Sequence, residues 1–501
     1  MTPETPHSEP LYRAADLRSI ERAAANQPLM QRAGLAAADL ASALCGDQGA
    51  AILILAGPGN NGGDAFEAAC HLRQRFYEVS VVFIGDAQKL PTDAAAAYLR
   101  FLGAGGSTLN SIPKNARWSL IIDGLFGIGL QRDVSGQAGE LVRAANALAT
   151  HDGCPLLALD CPSGLDGDTG QRRGETIRAS HTISFIAGKP GLYTGDGPDY
   201  CGLVSIATLG LNASEISPAP GATVGCDLFA TCLQPRARNS HKGTNGNAGI
   251  LGGANSMVGA AFLAGRAALK LGSGRVYIGL LDTQAPPFDP LQPELMLRRP
   301  EGLFAAGLTA LACGPGMSSS QQAVVLLEEA CALNLPLVLD ADALNLVAQE
   351  GNLQVALASR SAPTLLTPHP AEAARLLDCD IAAIQTDRIA AALEIASRYN
   401  AHVALKGCGT IVATPDGRWF INTTGNPGLA SAGTGDVLTG FITALLTQGW
   451  PALEALLAAV HLHGAAADEL VAAGTGPIGL TAGELIASAR SCLNHWVNGA
   501  R

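Results

Sequence analysis

The sequence predicts an α/β protein built as two successive domains, and three observations carry that prediction. At 51–74 an apolar strand, AILILA, runs into the turn GPGNNGG and then into a helical pattern. Short aliphatic segments recur along the rest of the chain, each ending in glycine, aspartate or another polar loop residue. At Asn422–Gly440 the stretch NTTGNPGLASAGTGDVLTG places Gly425, Gly428, Gly433 and Gly435 in a loop, then takes up the helical spacing Leu438, Phe441, Ile442, Leu445. Strand, glycine-rich turn and helix in alternation is the rhythm of a parallel sheet covered by helices. A chain of 501 residues accommodates two or three such domains.

Composition narrows the class. The chain is 48% hydrophobic and 15% charged, with 59 glycines and 28 prolines, which suits tight strand-to-helix loops and excludes general disorder. No apolar run is long and clean enough to span a bilayer, and MTPETPHSEP is not a basic, apolar signal, so a cytoplasmic protein with no membrane partner is expected. Net charge is -11 with no lysine- or arginine-rich block, so no nucleic-acid partner is expected. The twelve cysteines show no CxxC pair or Cys/His metal spacing and read as reduced, mostly buried thiols.

In chain order, residues 1–10 read as a frayed tail, and helical patterns cover Tyr12–Ala25 and Leu29–Leu44. AILILA with its turn opens a Rossmann-like sheet, continued by VSVVFIG from Val79, SLIIDGL from Ser119, PLLALD from Pro155, HTISFIAG and LVSIATLG. The small, polar, proline-bearing segment Leu211–Gly225 marks a boundary between a first domain at 1–215 and a second at 225–501. The second domain supplies strands in AGILGGA, RVYIGLL, ALACGPG, PLVLDAD, PTLLTPH and HVALKG. No internal repeat relates the halves, so two different domains are fused.

In the first domain Gly57, Gly59 and Gly62 satisfy GxGxxG, and Asp86 ends the next strand, so an NAD-dependent dehydrogenase is one reading. The turn, however, is filled by Asn60 and Asn61 and ends in Gly63 and Asp64, side chains suited to a polar ligand or a cation. Asp123 and Asp160 end two further strands. Carboxyl ends of parallel strands share one edge, so Asn61, Asp123, Asp160 and Ser163 can converge there, and such oxygen sets suit hard cations or acid–base work. Each aspartate alone reads as a loop cap; the set argues for a site.

LMQRAG at Leu29, GNNGGD, DGLFGIGL and DCPSGLDGDTG together resemble the N-terminal domain of the bifunctional NAD(P)H-hydrate repair enzymes, over roughly residues 10–215. The resemblance implies an epimerase interconverting the R and S hydrates of NADH and NADPH (NADHX and NADPHX). It implies hydrate contacts at Asn60, Asn61, Gly62, Gly63 and Asp64 and at Gly127, Ile128, Gly129, Leu130, Gln131, Arg132 and Asp133. Asp160 would act near the reacting centre, and Asn61, Asp123 and Ser163 would hold K⁺. The family usually has glycine at the position of Ala65 and threonine at that of Ile128.

The second domain has no GxxxxGK[ST] phosphate loop. Its glycines are spread over several strand ends, Gly252-Gly253, Gly314-Pro315-Gly316, the KGCGT of Lys406–Thr410 and the GTGD that ends in Asp436. A nucleotide held by separate loops, with an aspartate at a helix start facing its terminal phosphate, is the ribokinase-like arrangement. There Asp436 takes a proton from an attacking hydroxyl while helix-start amides face the phosphate. Lys406 directly after a strand reads as a phosphate contact. His369 between two prolines reads by itself as a hydrogen-bonded loop histidine, Asp340 and Asp342 as at least equally structural, and His461 and His463 as packing or surface residues.

HKGTNGNAGILGGANSMVGAA, CGPG, VLDADALN, LLTPHPAE, LKGCGT and the Asn422–Gly440 stretch resemble, in order, the ADP-dependent dehydratase domain of the same family, over about 225–495. This implies hydrate contacts at Ala260, Gly316, His369 and Asp436 and nucleotide contacts at Lys406, Gly407, Cys408, Gly409, Thr410 and Gly435. It implies ADP as co-substrate, Mg²⁺ in this domain, and dehydration of the S hydrate with release of AMP and phosphate. A homo-oligomer is expected. The competing reading is a ribokinase-like small-molecule kinase with a non-catalytic N-terminal binding domain.

Overall fold

Both units are built on sheets whose strands are buried on two faces, which is why they read as nearly continuous apolar runs. The computed structural model describes residues 7–45, 50–114, 116–130 and 132–499. The chain divides into two units, Pro10–Gly221 and Ala222–Arg501, and Ser8 and Glu9 belong to the second.

The first unit has a seven-stranded sheet in the order Thr108–Leu109, Glu78–Phe83, Ala51–Ala56, Leu120–Gly124, Leu156–Leu159, His181–Phe185, Leu203–Ala207. Every pairing is parallel. Alternate residues of Ala51–Ala56 serve opposite faces: Ile52 and Ile54 join one apolar cluster, Leu53 and Leu55 another. The first cluster takes in helices Leu29–Cys45, Asn60–Gln74 and Thr92–Gly103, and the second takes in Gly136–Asp152, giving three layers. From Ala51–Ala56 the chain moves one way to Glu78–Phe83 and later the other way to Leu120–Gly124. That reversal opens a crevice at the carboxyl edge, the place where open α/β sheets bind ligands.

In the second unit the strands run in the order Trp419–Ile421, Ile411–Ala413, His402–Leu405, Thr364–Leu366, Leu337–Leu339, Ala310–Cys313, Asn247–Gly252, Arg275–Leu280, Met296–Arg298. From His402–Leu405 onward all pair in parallel, and on its other side Ile411–Ala413 and Trp419–Ile421 follow as antiparallel neighbours. Helices Val258–Lys270, Thr434–Thr447 and Ala452–Ala472 pack on one face through Ala264, Phe441 and Leu456, all fully buried. Helix Ala452–Ala472 has the length and hydropathy of a membrane span, yet its apolar side chains form part of this core.

The start of the chain departs from the sequence expectation of a frayed tail at 1–10. Ser8 donates its backbone N–H to Asp227 at 2.7 Å, and Glu9 exchanges hydrogen bonds with Thr223 at 2.8 and 2.9 Å. The partners lie more than two hundred residues away, so no local pattern announced them. The rest of that expectation, residues 1–6, lies outside the described residues.

Candidate active sites

In the first unit a cavity of about 850 Å³ opens at the carboxyl edge of the sheet. Asn60, Asn61 and Asp64 line it from the first turn of helix Asn60–Gln74, Gly127, Ile128 and Gly129 from the loop after Leu120–Gly124, and Asp160 from the end of Leu156–Leu159. Gly62 and Gly63 do not line it. They allow close packing, since a Cβ at Gly62 would lie 2.0 Å from the Gly57 carbonyl and one at Gly63 2.7 Å from Met30. Leu130 packs into the apolar cluster with Leu125 and Val134, while Arg132 and Asp133 are exposed and off the wall, and Gln131 lies outside the described residues.

Asp123 is wholly buried. Ser163 donates its N–H and hydroxyl to the Asp123 carboxylate at 2.8 and 2.7 Å, and Leu125 N–H donates at 3.2 Å. Asn61 is buried, and among the described residues neither polar atom of its side chain has a hydrogen-bond partner. Asp160 has φ +66°, and its two carboxylate oxygens accept from Ile128 N–H at 3.1 Å and meet Lys189 Nζ at 2.7 Å. Sequence reasoning missed Lys189, and it missed Arg18, Glu21 and Arg22, which line the cavity from helix Ala14–Ala23. Their signal was three polar residues at helical spacing in a segment read simply as a helix.

In the second unit the parallel strands deliver their following residues to one edge: Gly316 after Ala310–Cys313, Asp340 after Leu337–Leu339, His369 after Thr364–Leu366 and Lys406 after His402–Leu405. Helix Thr434–Thr447 starts from Gly433 at φ +88° and places Asp436 in its first turn. A Cβ on Gly435 would lie 3.4 Å from Lys406 Nζ and 3.7 Å from Asp340, so these groups meet at the helix start. Helix Ala452–Ala472 holds the loop from behind: Asp468 accepts from Gly425 N–H and the Asn426 amide, both at 2.8 Å, and His463 Nε2 lies 2.9 Å from the Thr434 carbonyl. Ala260 and Gly316 meet around Met257, whose carbonyl accepts from Ala260 N–H at 3.2 Å and would lie 2.6 Å from a Cβ on Gly316. Gly407 and Gly409 take φ of +141° and +61°, Thr410 closes their loop onto the Gly407 carbonyl at 3.1 Å, and Cys408 is exposed.

Family models match both units, "YjeF-related protein N-terminus" over residues 26–191 and "NAD(P)H-hydrate dehydratase" over 248–488. A bifunctional NAD(P)H-hydrate repair enzyme from Vibrio cholerae is 38% identical, covering 86% of each chain. One from Escherichia coli is 36% identical over 98% of this chain and 94% of its own. The chain belongs to the bifunctional NAD(P)H-hydrate repair enzymes. The repair enzyme's second unit is also similar to a ribokinase-like superfamily protein from Enterococcus faecalis, with a TM-score of 0.50, 25% identity and coverage of 55% of this chain and 96% of that one. It has the ribokinase-like fold.

Electrostatics distinguish the carboxylates of this repair enzyme. Burial raises the Asp436 carboxyl to about 7, the neighbouring Asp340 and Asp342 charges add to the rise, and Lys406 opposes it. Burial would raise Asp340 as well, but the Lys406 ammonium 2.7 Å away and hydrogen bonds from Lys406, Thr439 and Thr367 hold it below the usual carboxylate range. Lys406 is ion-paired with Asp340, with Glu372 at 3.9 Å, at the edge where the sequence reading set it as a phosphate contact. Asp342 accepts from Ser318 N–H at 2.8 Å. His369 caps helix Pro370–Leu377: its Nδ1 accepts from Ala371 and Glu372 N–H at 3.1 and 3.3 Å, and its Nε2 lies 3.2 Å from Glu372. Burial raises Asp123 to about 6 against the pull of its Ser163 hydrogen bonds. The result is one carboxyl poised near neutrality at a helix start and another kept ionised beside it, the separation that acid–base chemistry requires.

Proposed function

We propose that residues 1–215 interconvert the R and S hydrates of NADH and NADPH and that residues 225–501 dehydrate the S form at the expense of ADP, in a cytoplasmic homo-oligomer with neither nucleic acid nor membrane as partner. The observation that carries the second activity is Asp436, a carboxyl near neutral pKa in the first turn of a helix, beside Lys406 and Gly435.

The hydrate bears a hydroxyl on its reduced ring, and hydroxide is a poor leaving group. Asp436 accepts the hydroxyl proton as that oxygen attacks the terminal phosphorus of ADP, and the bond to the bridging oxygen breaks to release AMP. Phosphate then leaves the ring with the C–O electron pair, assisted by the ring nitrogen, and loss of a proton from the adjacent carbon restores the dihydronicotinamide. Amides at the helix start and the loop Lys406–Thr410 face the phosphates. Mg²⁺ bound with the nucleotide would offset phosphate charge. Ala260, Gly316 and His369 border the hydrate.

In the first unit the hydroxyl-bearing carbon is bonded to the ring nitrogen. Asp160 accepts the hydroxyl proton as the C–N bond opens to an aldehyde and the nitrogen is protonated; closure on the other face of the aldehyde reverses these transfers and gives the other epimer. Asn60 to Asp64 and Gly127 to Asp133 flank the substrate. The buried Asn61 amide without partners and the buried Asp123 carboxylate, with which no basic side chain pairs among the described residues, fit a monovalent cation held with Ser163. K⁺ there would supply positive charge that stabilises the buried Asp123 carboxylate.

The test is recovery of dihydronicotinamide absorbance from a mixture of R and S hydrate. Complete recovery that requires ADP and outpaces uncatalysed epimer exchange is expected, and Asp436→Asn should slow it by about 10²–10⁴-fold. Near-full turnover by Asp436→Asn refutes its role, and a phosphorylated final product favours the kinase.

A further inference from the structure

We propose that Lys189 is a positioning residue for epimerisation, holding the Asp160 carboxylate from behind in the orientation that serves the cavity; this rests on the role given to Asp160 above. Lys189 follows strand His181–Phe185, its side chain is 1% exposed, and it forms no part of the cavity wall. All three ammonium protons have acceptors: Asp160 at 2.7 Å, the Ser184 hydroxyl at 2.8 Å and the Phe185 carbonyl at 3.4 Å. The Ser184 hydroxyl donates to the Ala187 carbonyl at 2.7 Å, which leaves a lone pair to accept from the ammonium.

The other Asp160 oxygen is gripped from the opposite side. It accepts from Ile128 N–H at 3.1 Å and lies where a Cβ on Gly127 would come within 2.6 Å. The carboxylate is thus clamped between a buried ammonium and a loop that lines the cavity. A clamp is needed on two grounds. Asp160 takes φ +66°, a conformation that L residues adopt at a cost and keep only when their surroundings enforce it. Glu21 and Asp64 border the same cavity, where burial raises both carboxyls and the Asp160 charge adds to the rise. Stability alone does not account for such an arrangement, because a buried ion pair contributes little beyond what apolar packing would supply. Orientation of the base does.

The experiment uses the full chain without ADP, so that the S epimer is not drained, and follows the R epimer appearing from purified S NADHX by chromatography. Lys189→Met should lower kcat about 10²-fold, the effect of displacing a reacting group by about 1 Å, and leave KM within a few-fold. Dehydration, assayed with ADP, should be unchanged. Ser184→Ala retains both charges and removes one ammonium acceptor, so it answers the question if Lys189→Met does not fold; it should lower kcat several-fold at constant KM. Asp160→Asn is run alongside. Full activity in Asp160→Asn removes the role of Asp160 itself, and this inference with it. An inactive Asp160→Asn beside wild-type kcat in the folded Lys189 or Ser184 variant, or an effect on KM alone, overturns the positioning role and leaves Asp160 in place.

Discussion

Replacing Asp340 by asparagine should move the pH dependence of dehydration in a direction that follows from the charges around Asp436. Asp340 is 1% exposed, lies 2.7 Å from Lys406 Nζ and accepts from the Thr439 hydroxyl at 2.9 Å. Asparagine preserves size and an acceptor for Thr439, removes one negative charge, and leaves Lys406 without its partner. Both electrostatic changes favour ionised Asp436, which burial first and Asp340 second raise to about 7. A neighbouring like charge shifts a carboxyl by about 1–3 units, each unit being about 1.4 kcal/mol. Solvent reaching the half-buried Asp436 reduces this to about one unit. A base is inactive when protonated, so kcat/KM for the hydrate should fall tenfold per pH unit below about 7 in the natural enzyme, and the same limb should lie about one unit lower in Asp340→Asn. Comparison under identical nucleotide and magnesium cancels the titration of ADP itself. Breaking a buried pair from one side costs about 3–5 kcal/mol, with the low end apt for a partly exposed lysine, so Tm should fall as well. A limb that stays in place or moves upward refutes the argument.

Gly127→Ala puts a methyl group 2.6 Å from the Asp160 carboxylate and should depress epimerisation by about tenfold or more while ADP-dependent dehydration of S hydrate continues. Asn61→Leu removes the buried amide that has no partner among the described residues, and epimerisation should lose its dependence on K⁺, measured by exchanging potassium for choline chloride. Asp468→Asn sets an amide donor against Gly425 N–H or the Asn426 amide, a loss of about 1–3 kcal/mol in the loop ahead of Asp436, so dehydration should weaken and epimerisation should not.

Much of the architecture was legible because its causes are local. AILILA followed by GPGNNGG requires a buried strand and a tight turn into a helix; Asp123 lies at the end of a strand, and Asp160, Gly316, Asp340, Gly407 and Gly409 follow strands whose apolar runs are unmistakable. Once the strands are parallel, these residues must gather at one edge, so the candidate sites could be anticipated without coordinates.

Side-chain pairing was not legible in this way. KGCGT contains nothing to say that Lys406 meets Asp340, and AGKPG does not reveal that its lysine is buried against Asp160. TPHP placed His369 in a loop but not as the cap of the following helix, and nothing in the first ten residues announces Asp227 as the partner of Ser8. The sequence by itself determined which segments form strands, which turns need glycine and which carboxylates end at the binding edge, because those follow from steric and hydrophobic effects within a few residues. Only the tertiary structure decided which carboxylate is neutralised by a lysine and which is left near neutral pKa. Those outcomes depend on distances and burial between residues far apart in the chain, where Coulomb energy and desolvation change by several kcal/mol within a few ångströms.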